Sequence, residues 1–329
     1  MLTLYKEDLP LMIRVSLGSA LTLGLTRGVQ QTETTTIYLM TYHSGKCSAN
    51  CVFCSQARSS TSRADMLSRV IWPLFPVENV INRIKVVGNG NLVKRVCIQT
   101  MNYPGVFKEM LALIKKINSM SSLPISLSCQ PMSKEQIQDL INAGVDRIGI
   151  SLDAATEELF KKTKGSSGGG PYLWEKHMEC LKNAIQILGK GKVTTHFIVG
   201  LGENDRELIE IIQRMVNIGV HPSLFAFTPI PGTSEEKRPR PSIYRYRKIQ
   251  LAQYLIINGK AKCEDIVFDV DDNIVDFKLK ENLIREIVKT GLPFLTSGCS
   301  GCNRPYYNER PSGPLYNYPF NPVLNHKEK

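Results

Sequence analysis

No run of about 18 uninterrupted apolar residues occurs in the 329-residue chain, so a membrane-spanning helix is not expected. The opening MLTLYKEDLP is acidic at its centre, and the apolar stretch after it is broken by Arg14 and Arg27. It does not read as a secretory signal. The nine cysteines are odd in number, and their spacing matches no small disulfide scaffold. A reducing cytoplasm is therefore the expected setting. The glycine-rich Ser166–Gly170 (SSGGG) lacks the Lys-Ser/Thr ending of a phosphate-binding loop and reads as a plain loop. No Ser-His-Asp set or paired carboxylate dominates, which removes the usual signs of nucleophilic or acid–base hydrolysis.

What is present describes a folded protein with a sizeable core: 42% hydrophobic and 22% charged residues. Net charge is +11, from 41 Lys+Arg against 30 Asp+Glu. A basic surface favours an anionic partner. The densest basic stretch is Lys237–Pro241 (KRPRP) followed by Tyr244–Lys248 (YRYRK). It reads either as a solvated helix face or as an RNA contact. RNA chemistry usually brings an appended binding domain, and none is visible.

β-rich runs alternate with amphipathic helical runs, the pattern of a parallel sheet with crossover helices. Strands are expected at Ile37–Tyr42, Arg95–Met101, Ile125–Cys129, Arg147–Leu152, Val193–Val199, Leu224–Thr228 and Ile266–Val270, with a weaker eighth near Pro293–Thr296. Helices are expected between them, one of them opened by a Ser133/Gln136 capping box. Seven or eight such units imply an α/β fold, a (β/α) TIM-type barrel, complete or nearly complete. The expected layout is an N-terminal helical extension (1–33), the barrel (34–296) and an extended tail (297–329).

Cys47, Cys51 and Cys54 fall within the thirteen residues Gly45–Ala57 (GKCSANCVFCSQA), directly after the first strand. Barrel chemistry gathers at such strand ends. Three thiolates on one loop hold three corners of a 4Fe–4S cluster and leave one iron open, four protein thiolates being the norm. A zinc site with a distant fourth ligand is the plainer alternative. The C-x3-C-x2-C motif closely resembles that of the radical S-adenosylmethionine (SAM) enzymes. There the open iron chelates SAM and cleaves it to a 5′-deoxyadenosyl radical.

Further segments resemble the biotin synthase branch of that family. In Gly149–Phe160, Ser151 and Asp153 match the position that binds the SAM ribose; Asp153 reads equally as a helix N-terminal residue. In Phe197–Asp205 (FIVGLGEND), Ile198 matches an adenine contact, with Gly200 and Gly202 allowing close approach. Thr228 is a weaker adenine contact, and Phe53 is expected near the same ring. After the second strand, Thr100 lies where the family binds the methionine amino group, although Gln99–Asn102 departs from the usual Gly-Gly-Glu. His177 is a candidate for the SAM carboxylate; a half-exposed helix histidine is the plainer reading.

Biotin synthases hold an auxiliary cluster on cysteines of the second, third and fifth strands. Cys97 and Cys129 match the first two, and Thr194 stands at the third. Cys299 and Cys302 form a glycine-flanked CxxC in the tail. If the tail folds over the barrel mouth, Cys97, Cys129, Cys299 and Cys302 supply four thiolates for a second 4Fe–4S cluster. Ser297 and Ser300 are open as oxygen ligands. A zinc or redox CxxC, with Cys97 and Cys129 as ordinary buried thiols, is the alternative. Cys180 and Cys263 read as structural.

The barrel joined to the tail (TSGCSGCNRPYYNERPSGPLYNYP) resembles the subunits of the two-protein archaeal lipoyl synthase. That resemblance implies sulfur insertion into an octanoyl chain carried on a protein lysine. It also implies a second radical SAM subunit, an octanoylated lipoyl carrier protein or domain, and an electron donor such as ferredoxin. The tail aromatics Tyr306, Tyr307, Tyr316, Tyr318 and Phe320 either shape an apolar channel or pack locally. A biotin-type or RNA methylthio-type enzyme and a non-catalytic Fe–S scaffold are the other readings.

Overall fold

The computed structural model describes residues 9–323. The outermost parts of the expected 1–33 and 297–329 segments lie outside the described residues. In chain order the elements are β1 (Met12–Val15), α1 (Leu17–Thr22), β2 (Thr36–Met40), β3 (Met66–Leu67), β4 (Val70–Ile71), β5 (Leu74–Pro76), α2 (Val77–Val87), β6 (Arg95–Gln99), α3 (Val106–Met120), β7 (Ile125–Cys129), α4 (Lys134–Asn142), β8 (Val145–Ile150), α5 (Glu157–Thr163), α6 (Trp174–Leu188), β9 (Val193–Val199), α7 (Asp205–Asn217), β10 (His221–Ala226), α8 (Ile243–Ile257), β11 (Ile266–Phe268), β12 (Ile274–Phe277) and α9 (Glu281–Lys289).

Strands β2, β6, β7, β8, β9 and β10 pair in that order, all parallel. Helices α2, α3, α4, α6 and α7 lie in the crossovers, so the α/β barrel class holds. Alternation along each strand then assigns the faces. Val96, Ile98, Ile125, Leu127, Ile148 and Ile150 pack outward into one core with Ile114, Leu140 and Leu181 of the helices. Their neighbours Cys97, Gln99, Ser126, Ser128, Arg147 and Gly149 face inward and line a central cavity. The predicted capping box is present at α4: Ser133 accepts from Gln136 N, and the Gln136 side chain accepts from Ser133 N.

Three assignments differ from the sequence pattern. Ile266–Val270 supplies β11, which pairs antiparallel with β12 in a separate two-stranded sheet. The segment near Pro293–Thr296 holds a 3-10 turn over Leu292–Phe294, with proline at its start. The parallel sheet thus has six strands among the described residues, and its order ends at β10 on one side. The expected helical extension contributes β1, antiparallel to β2 and to β5, before the six-residue α1. Met12–Val15 alternates half-buried and buried, a strand pattern too short to separate from a helix by periodicity.

The tail spans the two sides of this open sheet. At β10, Leu224 N donates to Ser297 Oγ (2.9 Å) and Arg304 stacks on Phe225 (3.9 Å). On the other side, Arg69 donates to Tyr306 O (2.9 Å) and Glu309 O (2.5 Å), and Tyr38 Oη accepts from Arg304 N (3.0 Å). The tail's return is fixed by Glu309, a buried carboxylate that accepts from the backbone of Asn308, Tyr316 and Asn317.

Most cations of the basic stretch are engaged within the fold, while Lys237, Arg240 and Tyr244 are exposed. Arg240 donates to Asn308 O, Arg247 to Leu315 O and Tyr316 O, Arg245 to Glu203 and Asp205, and Lys248 to Ile274 O. These cations fasten α8 to the tail and to the α7 end of the barrel. No helix among the described residues is long and apolar enough to cross a membrane.

Candidate functional site

The loop after β2 carries Cys47, Cys51 and Cys54, and its backbone is tied from several sides. Cys47 N donates to Gln56 O (2.9 Å), Cys54 N to Cys51 O (3.0 Å) and Ser48 N to Asn102 O (2.7 Å). Lys46 Nζ holds Ser55 O (2.7 Å) and Ser62 O (2.6 Å). Burial pushes the Cys51 thiol well up and the Cys54 thiol to about 11; in Cys54 the Gln56 amide partly offsets this and the nearby Cys47 adds to it. Ligation by iron would remove those protons.

The SSGGG loop packs directly behind the cysteines and is not a plain loop. Asn50 Nδ2 donates to Gly168 O (2.9 Å), and Arg58 to Gly169 O (3.1 Å). A Cβ on Gly170 would lie 1.9 Å from Lys164 O, so only glycine fits there. This close approach brings Lys164 into the site.

Lys164 is the functional residue that motif reading misses. Its ammonium bonds Asp153 Oδ2 (2.7 Å) and Ser151 O (2.6 Å), with side chains only 6% and 12% exposed for Lys164 and Asp153. The Phe160 and Tyr172 rings flank it at 5.6 and 5.3 Å. A lysine in KKTKG has no spacing that marks it as buried.

Asp153 is not the helix cap: Thr156 caps α5, accepting from Leu159 N. Asp153 instead bridges to Phe197 beside β9, and its φ of 63° turns the carboxylate toward Lys164. Aspartate tolerates that left-handed conformation better than most residues. Ser151 Oγ pairs with His196 Nδ1 (2.9 Å). Phe53, Asp153, Ile198 and Thr228 all line the cavity. The glycine turn beyond Ile198 is held by Glu203, whose carboxylate accepts from Gly200, Leu201 and Gly202 N (2.7–3.1 Å).

Ser151 is not among the cavity-lining residues, and two further candidates lie elsewhere. Thr100 bonds Ser128 O (3.1 Å) and Gln130 Oε1 (3.0 Å) and is not among the cavity-lining residues. His177 is buried rather than half-exposed. It packs against Phe160 and Tyr172, beneath Lys164. Burial, with Lys164 assisting, lowers it to about 3, so it stays neutral.

The cavity, ≈ 220 Å³, runs from Phe53 and Cys54 to a second cysteine group, Cys97, Cys299 and Cys302. The CxxC turn does not fold over the mouth. It enters at the N-terminal end of the strands, where Thr35 Oγ1 donates to Gly301 O (2.5 Å) and Thr35 N to Asn303 Oδ1 (3.1 Å). Tyr38 Oη lies 3.2 Å from Cys302 Sγ. Burial raises Cys97, and its neighbours Cys299 and Cys302 raise it further. Burial also raises Cys302, against the opposing pull of Arg304 and Tyr38.

Cys129 does not join them. It shares the outward face with Ile125 and Leu127, touches Gly149 O at 3.9 Å and has Cys180 as its nearest thiol neighbour. Ser126 and Ser128 occupy the inward positions of that strand, so Cys129, one residue past Ser128, faces the helices. Cys129→Ala is accordingly expected to leave iron content unchanged and to cost about 1 kcal/mol of stability; iron analysis and thermal unfolding check it.

Of the tail aromatics only Tyr307 lines the cavity, packed edge-on to Phe225 (5.5 Å). Tyr316 packs on Tyr246 and donates to Pro241 O (2.7 Å), and Phe320 is 39% exposed. All nine cysteines are free. Among the described residues no three His, Cys, Asp or Glu side chains are placed to hold one metal ion between them. A cubane differs in taking each thiolate on a separate iron. Two buried polar atoms without hydrogen-bond partners belong to residues lining the same cavity: Ser223 Oγ and Arg304 Nε. Thiols and unpaired donors together fit an anionic iron–sulfur cluster.

A six-stranded parallel barrel with a three-cysteine loop after its first strand defines the class. The radical SAM superfamily model matches residues 41–215, just over half of the chain, and the chain belongs to that family, in its biotin synthase-like branch. Such enzymes bind a 4Fe–4S cluster and SAM. Biotin synthase of Desulforudis audaxviator (strain MP104C) is 25% identical over 198 residues, 59% of this chain and 56% of its own. Biotin synthase of Prochlorococcus marinus (strain MIT 9515) is 25% identical over 233 residues, 68% of this chain and 65% of its own. The chain thus spans less than two thirds of these relatives. Methylornithine synthase (PylB) shares the fold, with a TM-score of 0.54 and 14% identity over 69% of this chain and 63% of its own.

Proposed function

We propose that this protein is a sulfurtransferase of the radical SAM type, inserting sulfur into an octanoyl chain on a carrier protein as one component of a two-protein lipoyl synthase. One observation carries the reading: a single cavity joins the three-cysteine loop at one end to Cys97, Cys299 and Cys302 at the other. Bound at these two places, the clusters would supply reductive cleavage of SAM, hence a radical able to take hydrogen from an unactivated C–H bond, and a source of sulfur.

The chain's own residues bind, orient and shield. Cys47, Cys51 and Cys54 would hold the first cluster. Asp153, fixed by Lys164, presents a carboxylate to the ribose hydroxyls of SAM, and Ile198, Phe53 and Thr228 face the adenine. Leu67, Val70, Trp72, Phe225 and Tyr307 give the cavity an apolar wall suited to an acyl chain. Buried between the sheet and the tail, that wall keeps water from a reactive intermediate. The partners are an octanoylated lipoyl carrier, a second radical SAM subunit and an electron donor such as ferredoxin. A carrier domain with an acidic surface would be steered by the +11 charge. The setting is the cytoplasm.

The similarity to biotin synthases favours a second reading, sulfur insertion into a biotin precursor. The two separate on substrate. Incubated anaerobically with SAM, reductant and the partner subunit, an octanoyl-lysine peptide is expected to gain sulfur by mass spectrometry. Sulfur gain only on the biotin precursor would support the second reading. Failure to cleave SAM at all would leave an Fe–S scaffold.

A further inference from the structure

Three guanidinium groups meet on the outer side of the tail, against the segment whose inner side lines the cavity. We propose that Arg69, Arg240 and Arg310 form the docking surface for an acidic protein domain that carries the acyl-lysine, a proposal that rests on the sulfur-insertion reading above.

The tail segment 306–309 places the three. Arg69 donates to Tyr306 O (2.9 Å) and Glu309 O (2.5 Å), and Arg240 to Asn308 O (2.7 Å). Arg310 follows directly, and both Arg240 and Arg310 are exposed. On the inner side, Tyr307 and Asn308 line the cavity together with Ser68 and Thr228. Thr228 comes just after β10, at the end of the parallel strands where the cysteine loop lies. An acyl-lysine reaching the cavity from this end sets its carrier against the three arginines.

Charge selects the occupant. Cations nearby in sequence are neutralised: Arg63 by Asp65, Arg238 by Glu235, and Arg245 by Glu203 and Asp205. Glu309, beside Arg310, is buried and turns its carboxylate onto backbone N–H groups. Burial and the neighbouring Arg240 and Arg310 hold the Arg69 guanidinium below its usual value. The positive surface is thus a spot of three like charges rather than a track. Planar guanidinium forks match side-chain carboxylates, and a spot suits a few acidic residues of a folded domain more than a nucleic-acid backbone.

Arg310 is the residue to change, because its side chain makes no hydrogen bond or ion pair among the described residues. The reconstituted full-length protein, with its partner subunit, is assayed on two probes. One is an octanoylated lipoyl domain of net negative charge; the other is a short octanoyl-lysine peptide without acidic residues. Arg310→Glu is expected to raise the KM for the domain about tenfold at low ionic strength, leaving kcat and the peptide's KM within about twofold. Arg310→Lys should stay near native. Lys116→Glu makes the same charge change on the exposed side of α3 and should leave the domain's KM unchanged. About 0.5 M salt should erase the difference between native and Arg310→Glu. Equal KM values for native and Arg310→Glu, or an equal rise with Lys116→Glu, would overturn the docking surface and leave the sulfur-insertion reading standing. Loss of single-stranded RNA binding in Arg310→Glu, with the domain's KM unchanged, would overturn it in favour of a nucleic acid. Sulfur gain on neither probe while SAM is cleaved would overturn the reading on which the surface rests.

Discussion

Replacing Cys47, Cys51 or Cys54 by Ala is expected to reduce 5′-deoxyadenosine formation to background and to remove about four irons per chain. The effect is large because the three thiols share one loop and no spare thiol lies nearby to substitute. The fold should survive. The loop is tied by Lys46, by Asn50, and by the Ser48 N–Asn102 O and Val52 N–Thr163 O bonds, none of which uses a thiol. Anaerobic iron analysis with chromatography of SAM products checks both parts. A variant retaining full turnover would show that the loop does not hold the SAM-cleaving cluster.

Lys164→Ala is expected to cost about 3–5 kcal/mol of stability, because it leaves the Asp153 carboxylate buried and unpaired. It also removes the cation from between Phe160 and Tyr172. Asp153 sits at a positive φ that the ion pair and its bridge to Phe197 together maintain. Losing one of them should let the carboxylate turn away, raising the KM for SAM along with the stability cost. Arginine would keep the charge but must fit its larger head between the two rings. Lys164→Arg is therefore expected to recover part of the stability and little of the SAM affinity. Chemical denaturation and SAM titration by calorimetry read the two effects separately.

Much of this was legible in the sequence for reasons that are local. The cysteine spacing, the Ser133/Gln136 box and the alternation of Val193–Val199 each need only neighbours along the chain. Cys129 shows where such reading needs one more step. In Ile125–Cys129 the apolar Ile125 and Leu127 mark one face and Ser126 and Ser128 the other. The same alternation that identifies the strand therefore places Cys129 with the apolar set. Matching the nearest cysteine to a family position ignored that parity.

The remaining misses depend on contacts between distant segments. Lys164 reads as one of several surface lysines until the glycine loop brings it to Asp153. Arg245 and Arg247 look like part of a basic patch until Asp205 and the tail meet them. The entry of Cys299 and Cys302 from the N-terminal end of the barrel is set by Thr35 and Lys94, more than 200 residues earlier. No period or spacing in the sequence encodes that approach.

The central claim is that one barrel holds two clusters at opposite ends of one cavity. Iron and acid-labile sulfide per chain after anaerobic reconstitution test it most directly. The account predicts about eight of each, falling to about four when either Cys47 or Cys97 is changed to Ala. About four in the native chain, unaffected by Cys97→Ala, would contradict it and leave a single-cluster radical SAM enzyme.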